Sequence, residues 1–456
     1  MSQTLKWSVN LNPARLSPFR QIDELYDRTT PTIEQLQDLG VGFVRLDLRW
    51  EWLEPEPGIV DEQMVAWYHH YLTALERAGI AVYAILYNPP AWAQELAVRD
   101  LAGFHEAWRR YCRLCAREWS DRVTVWQVWN EPNNYVSHLK DDFNLFHTRS
   151  FALGGWRVTL PVGVRWDALV PLFRIARSEL DPDAFLAYNV IANVSEFTPV
   201  TYPGWTEWDH FTDQFMQRAG GYVDAIALDH YPDTWVPGSG PLHWTPLDVL
   251  SQKVHDPRSA WYGKTAIVGE FGYSSCPNVD LVRKPARIRF FPEDHSDQTM
   301  HDWYAAAVPC LTDRLDPAKW PHNKLHLANV YELYDANPGE IFGGDHAEVV
   351  GIEYHFGLLR ANGDPKPAYG FFRDWIKGRI QPQAVAPRKS PTNPLGLYIR
   401  GSAVSKTVHR HVSPALYALF QALRPPLRRH DAGILSMGAV MLLYQWWRTA
   451  TRSAAK

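Results

Sequence analysis

Eight short apolar runs, each followed by an amphipathic stretch, constrain this chain more than any other feature. They lie at Lys6 to Asn10, Val41 to Leu48, Ile80 to Tyr87, Val123 to Trp129, Ala184 to Val190, Val223 to Leu228, Thr265 to Val268 and Leu327 to Leu333. Runs this short and apolar fit strands buried on both faces, as parallel strands covered by helices are. The stretches between them read as helices. From Asp61 to Ala78, for example, Val65, Tyr68, Leu72 and Leu75 recur at helical spacing and Gly79 offers a stop. Eight such alternations over residues 1–376 predict an α/β fold, a (β/α)8 TIM barrel with insertions. A doubly wound sheet would require a glycine-rich turn after an early strand, and the sequence has no GxGxxG.

Several of the runs end in polar and aromatic loops: WEWLEPEPG after the second, NPPAWA after the third, HYPDTW after the sixth. Barrel active sites are built at these C-terminal strand ends. Two longer loops, Thr201 to Phe211 and Ser274 to His301, are expected to wall one side of a cleft. The 21 tryptophans serve either a bulky core or flat apolar faces for sugar rings. Those in mouth loops are Trp50, Trp52, Trp92 and Trp235, with Trp205, Trp208 and Trp244 as further candidates.

Composition is ordinary for a globular chain of 456 residues, 46% hydrophobic and 21% charged. The net charge of −4 excludes a nucleic-acid partner for the protein as a whole. That charge is unevenly spread: from Lys377 onward there are 13 basic residues and one acid, Asp431, so a tail of +12 follows a strongly acidic body. Residues 377–398 carry Pro382, Pro387, Pro391 and Pro394 and read as a linker. Residues 399–456 read as a basic, apolar, mainly helical tail. Its segment Ala432 to Trp447 is uncharged and short for a span, which needs about 20 residues. Basic flanks and terminal aromatics suit a helix lying on an anionic leaflet. Helices packed on the barrel, or a subunit contact, are the competing expectations. With no apolar h-region in MSQTLKWSVNLNP, the expected location is the cytoplasm, at the inner face of the membrane if the tail binds there.

The cysteines Cys112, Cys115, Cys276 and Cys310 suggest buried thiols. The one CxxC falls inside the helical pattern HEAWRRYCRLCAREW and lacks a second pair to complete a zinc site. No metal motif such as HExxH is present.

The chemistry-bearing signals sit at two run ends. VWQVWNEPN breaks off in Asn130-Glu131-Pro132, where proline ends ladder pairing. AIVGEFGY ends in Gly269-Glu270, with Gly272 close behind. An unpaired acid at a buried strand end is costly, so two at one barrel mouth suggest a working pair. Glycoside cleavage needs such a pair, one carboxyl protonated and one ionised: the acid protonates the departing oxygen while the carboxylate meets the anomeric carbon.

NEP at a fourth strand with G-E at a seventh resembles glycoside hydrolase clan A, most closely its families 39 and 5, over residues 5 to 376. The resemblance implies a retaining glycosidase acting on β-linked glycosides or polysaccharide, with Glu131 as acid/base and Glu270 as nucleophile. It gives Arg45, in VRLDLRW, the role of holding the nucleophile ionised. Asn130 takes the sugar 2-hydroxyl, and His230 and Tyr231, in ALDHYP, surround the nucleophile. The Trp that often closes the eighth strand of the clan is missing; NVYELYDA offers Tyr331 and Tyr334 instead. No cofactor is implied. Substrate contacts are expected from Trp92, Trp235 and Tyr331, and the cluster Arg283, Lys284, Arg287 and Arg289 is either a solvated face or a seat for an acidic sugar. The sequence leaves open a transglycosidase, a non-catalytic carbohydrate-binding barrel, and a protein whose tail is its main function.

Overall fold

The computed structural model describes residues 4–134, 146, 148–153, 156–161, 164–192, 207–236, 239–277, 280–282, 288–289, 294–336 and 352–380. The linker beyond residue 380, the basic tail, and the cations Arg283, Lys284 and Arg287 lie outside the described residues, as does Trp205.

Eight parallel strands close into a barrel: β1 (Lys6–Leu11), β2 (Phe43–Arg49), β3 (Ala81–Tyr87), β4 (Val123–Val128), β5 (Leu186–Ile191), β6 (Ala225–Asp229), β7 (Thr265–Phe271) and β8 (Leu327–Val330). β8 pairs back onto β1, with Trp7 opposite Ala328, so no barrel edge is left open. A helix follows every strand, from Ile22–Leu39 after β1 to Pro367–Ile376 after β8. This is the (β/α)8 barrel that the alternating pattern predicts. The helix Glu62–Arg77 shows how local sequence sets an element. Asp61 caps it, accepting from the Gln63 and Met64 N–H groups at 3.1 Å; Val65, Tyr68, Leu72 and Leu75 are buried; Gly79 follows at φ 73.

The barrel interior has two layers of opposite character. Toward the N-terminal ends it is filled by Phe43, Tyr83, Val125, Ala187, Ala225, Ala227, Ile267 and Leu327. Toward the C-terminal ends Asn10, Arg45, Gln127, Asn189, Asp229 and Asn329 are all buried. The larger apolar core lies between the sheet and the surrounding helices. The barrel seam is also closed by side chains. Arg15, just after β1, grips Glu332, just after β8, with Nε and Nη2 at 3.0 Å from the two carboxylate oxygens, and both residues are buried.

Several element limits differ from the sequence expectation. β7 continues three residues past Val268, so Glu270 lies within the strand rather than after it. β8 stops at Val330, where its register with β7 shifts. A helix begins at Trp208 inside the expected loop Thr201 to Phe211. Within Ser274 to His301 the segments 280–282 and 288–289 pair antiparallel, and a helix starts at Asp297 behind its Ser296 capping box. In both places capping chemistry or aromatic anchoring starts the helix before the hydrophobic period becomes readable.

Candidate active site

Two different backbone devices bring Glu131 and Glu270 together. Along β7, alternation sends Ile267 into the barrel and would send Glu270 out. A bulge prevents this: Leu228 of β6 pairs with Val268, but Asp229 pairs with Glu270, so Gly269 is the extra residue and Glu270 faces inward. Glycine is required at the bulge. A Cβ at Gly269 would overlap Asp229 Oδ1 and crowd Ala227 Cβ and Asn189 Nδ2, both at 3.1 Å. Glu131 is delivered beyond the end of β4 by a turn in which Trp129 (φ 65) and Glu131 (φ 42) are left-handed. Such backbone is costly for residues with a Cβ and is held by its surroundings. The Glu131 N–H donates to Asn189 Oδ1 of β5 at 2.7 Å, and the Asn134 amide donates to the Glu131 carboxylate at 2.8 Å.

Glu270 is held on both oxygens. Arg45 Nη1 donates to one and forms its ion pair; the Tyr231 hydroxyl donates to the other. The Arg45 guanidinium is itself saturated. It donates to Gln127 Oε1 through Nε (3.2 Å) and Nη2 (3.0 Å), to Asn10 Oδ1 (2.9 Å) and to Asn130 Oδ1 (2.9 Å). Tyr83 donates to the same Gln127 oxygen at 2.8 Å. Asn130 Oδ1 also accepts from Gln127 at 3.0 Å, so what Asn130 can offer a ligand is its amide hydrogens. Burial pushes the Glu270 carboxyl up and Arg45 draws it down, while a charge on Glu131 raises it again; the net direction is upward.

One carboxylate oxygen from each of Glu131, Asp229 and Glu270 lies within 4.8 Å of the other two, and all three residues are buried. Asp229, Asn189, Gln127 and Asn10 were passed over in the sequence reading. Each stands as a lone polar residue inside an apolar run (ALDH, AYNV, VWQVW, SVN), and a buried polar residue in such a run is the signal that could have found them.

Other candidate residues are placed elsewhere. The His230 ring does not reach the pair. Its Nε2 donates to the His243 carbonyl at 2.7 Å and the ring packs edge-on against Trp244, while only its backbone N–H meets Glu270, at the carbonyl. Burial pushes the His230 imidazole down to about 3, so it is neutral. Strand alternation explains this placement: Asp229 faces in, His230 faces out, and Tyr231 folds back over the mouth. Trp50, Trp208 and Trp244 are core residues; Trp50 stacks on Tyr111 at 5.1 Å. Trp52 lies under the Arg49 guanidinium, and Trp92 is half-buried, its Nε1 donating to the Glu54 carbonyl. Tyr331 meets Tyr231 (5.9 Å) and Phe356 (5.2 Å) edge-on, and Trp235 lies against Phe356. These four rings form one cluster, joined to Glu270 through the Tyr231 hydroxyl. Cys112 and Cys115 are buried in the helix Leu101–Trp119, Cys276 is buried and Cys310 half-buried, and burial pushes all four thiols up.

Comparison with known proteins finds part of the chain similar in sequence, and the barrel similar in fold, to glycosidases. The glycosyl hydrolase family 1 sequence model matches residues 21–144, which include Arg45, Asn130 and Glu131. Putative β-glucosidase 17 of Oryza sativa subsp. japonica is 33% identical over 137 residues, 28% of this chain and 45% of that protein. β-Glucosidase 47 of Arabidopsis thaliana is 30% identical over 119 residues, 24% of this chain and 22% of that protein. The chain thus spans less than half the length of the curated relatives it matches. In fold, it is similar to the family 1 β-glucosidase from Thermotoga maritima, with TM-score 0.53, 16% identity, and coverage of 84% of this chain and 100% of that one. A family 5 protein from Streptomyces cattleya gives TM-score 0.55 at 15% identity, covering 84% and 83%. The sequence likeness therefore falls on family 1, whereas the motif reading placed it nearest families 39 and 5. All three belong to clan A.

Proposed function

We propose that this protein is a retaining β-glycosidase, family 1-like, with Glu131 as acid/base and Glu270 as nucleophile. The observation that carries the reading is the separation of the two carboxylates. Their facing oxygens lie within 4.8 Å, whereas an inverting pair stands about 6.5–9.5 Å apart to admit a water between them. That closeness fits the about 5–5.5 Å of a retaining pair, in which the carboxylate itself attacks. Arg45 and Tyr231 prepare Glu270 for this by holding it as an oriented anion. Glu131, whose carboxylate accepts from the Asn134 amide, carries the proton that the departing oxygen takes. The bond from Glu270 to the anomeric carbon forms as the glycosidic bond breaks. Water then enters, gives its proton to Glu131, and releases the sugar with its configuration retained.

The names of the relatives support a β-glucoside as first substrate to try. An activated 2-deoxy-2-fluoro-β-glucoside should leave a mass adduct on the peptide bearing Glu270. An adduct on another carboxylate would overturn the assignment and keep the enzyme class. Absence of any adduct across a panel of sugars would argue for a barrel that binds glycans without cutting them. The +12 tail is proposed to dock on an anionic surface, a reading supported by its charge alone. Cosedimentation of the full chain with anionic vesicles tests it.

A further inference from the structure

The cluster contains one carboxyl group more than the chemistry uses. Asp229 is the last residue of β6 and is fully buried, between Glu131 and Glu270. Its Oδ1 accepts from Asn189 Nδ2 at 2.8 Å. Its Oδ2 has no hydrogen-bond partner among the described residues. The charged and titratable groups facing it are Glu131 after β4, Glu270 on β7, Tyr83 on β3, Tyr231 after β6, and Arg45 on β2. Arg45 is the one cation of that group, and its donors go to Glu270, Gln127, Asn10 and Asn130, none of them to Asp229.

We propose that Asp229 is a neutral carboxylic acid throughout turnover, a positioning residue that keeps the site at one negative charge opposite Arg45. The proposal rests on Glu131 and Glu270 being the catalytic pair. In the first half-reaction the Glu131 proton passes to the departing oxygen while Glu270 bonds to the anomeric carbon. The single negative charge thereby moves from Glu270 to Glu131. In the second half-reaction water gives its proton to Glu131 and its oxygen to the sugar, and the charge returns to Glu270 as the ester bond breaks. At each stage one anion faces one guanidinium, provided Asp229 stays uncharged. Ionised, it would put a second anion in the cluster with an oxygen that nothing donates to, the costliest condition for a buried carboxylate. Burial, followed by the charges of Glu270 and Glu131, pushes the Asp229 carboxyl well above the usual carboxylate range. Gly269 is part of the same arrangement, since only a residue without a Cβ lets the Asp229 carboxyl lie flat against β7.

The test compares D229N and D229A in the full-length protein. Asparagine keeps the Oδ1 acceptor, a neutral charge and a donor at the second position; alanine is also neutral but removes the acceptor and the donor. Loss of kcat/KM of about tenfold to hundredfold in D229A, with most of it restored in D229N, is expected. The basic limb of the D229N pH profile should coincide with that of the wild type. If Asp229 were ionised, removing its charge beside Glu131 would move that limb down by about two pH units, which would overturn the proposal. A second measurement needs no variant and no substrate. Wild-type protein labelled with 13C at aspartate carboxyls should show one carboxyl signal still protonated at neutral pH, identified by its absence in D229N. Every aspartate ionised there would also overturn the proposal, while leaving the glycosidase reading to stand or fall on the adduct experiment. Activity lost on chelation and restored by calcium would overturn it too, because a cation would then be supplying the charge assigned here to a proton.

Discussion

The two glutamates are buried to a similar degree, 7% and 5% exposed, yet they are fixed in different ways. Glu270 sits inside a strand, turned inward by a bulge and held on both oxygens by Arg45 and Tyr231. Glu131 sits past the end of its strand on left-handed backbone, its N–H donating to Asn189 and its carboxylate accepting from the Asn134 amide. The difference fits the roles proposed for them. A nucleophile forms one bond at one place and gains from rigidity. A group that gives a proton in one step and takes one in the next must exchange partners between the two.

This contrast can be broken in order of effect. Replacing Glu270 with Ala should abolish turnover, by on the order of 10³-fold or more for every leaving group, as measured by kcat with aryl β-glucosides. Replacing Glu131 with Ala should cost about 10²- to 10⁴-fold with poor leaving groups and far less with dinitrophenolate, which departs without a proton. A loss independent of the leaving group would place the acid elsewhere. Gly269→Ala should act on both positions at once: its methyl group collides with Asp229 and forces the bulge to relax, lowering stability by about 1–3 kcal/mol and moving Glu270 off line. Chemical denaturation and kcat should fall together. The smallest effect is expected from Asn134→Ala, about 1 kcal/mol, read as a loss of roughly fivefold in kcat/KM.

The pH profile sharpens the comparison from the other side. Because the Glu270 carboxyl is raised, activity should fall on the acid side above the range of an ordinary glutamate. Removing the favourable charge with Arg45→Gln should move that acid limb to still higher pH; an unmoved limb would mean another group sets it. The linkage sign for Asp229 is opposite to that of a paired acid. A folded-state pKa above the unfolded one gives stability that is complete below the unfolded value and declines as pH rises toward the folded one. Melting temperature measured from pH 4 upward should therefore fall more steeply in wild type than in D229N.

Much of this was legible in the sequence because strand periodicity and catalytic chemistry point to the same residues. VWQVWNEPN and AIVGEFGY each place an acid where an apolar run ends, and an eightfold alternation leaves few folds to consider. What stayed hidden was direction. The sequence shows His230 and Tyr231 side by side, but a strand sends neighbours to opposite faces, so one reaches Glu270 and the other packs on Trp244. The bulge at Gly269 was equally invisible, because it exists only as a mismatch between two strands. Asp229 went unread because its partners, Asn189 and the two glutamates, come from three other strands. Trp50 stayed hidden for a related reason: the loop in which it was expected is a short helix from which its ring turns toward Tyr111 and Trp108.

The Arg15–Glu332 pair has a consequence for how the protein is made. β1 leaves the ribosome first, yet both its second strand neighbour and the carboxylate that neutralises Arg15 belong to the last strand unit. At about 5–20 residues per second, the first strand waits roughly 15–60 s for them. During that interval the KWSVNL strand lacks its β8 neighbour and Arg15 lacks Glu332, so the barrel closes only after both have arrived. Folding of this molecule is thus timed by the arrival of residue 332, and the catalytic layer, which draws on both ends of the chain, cannot assemble before it.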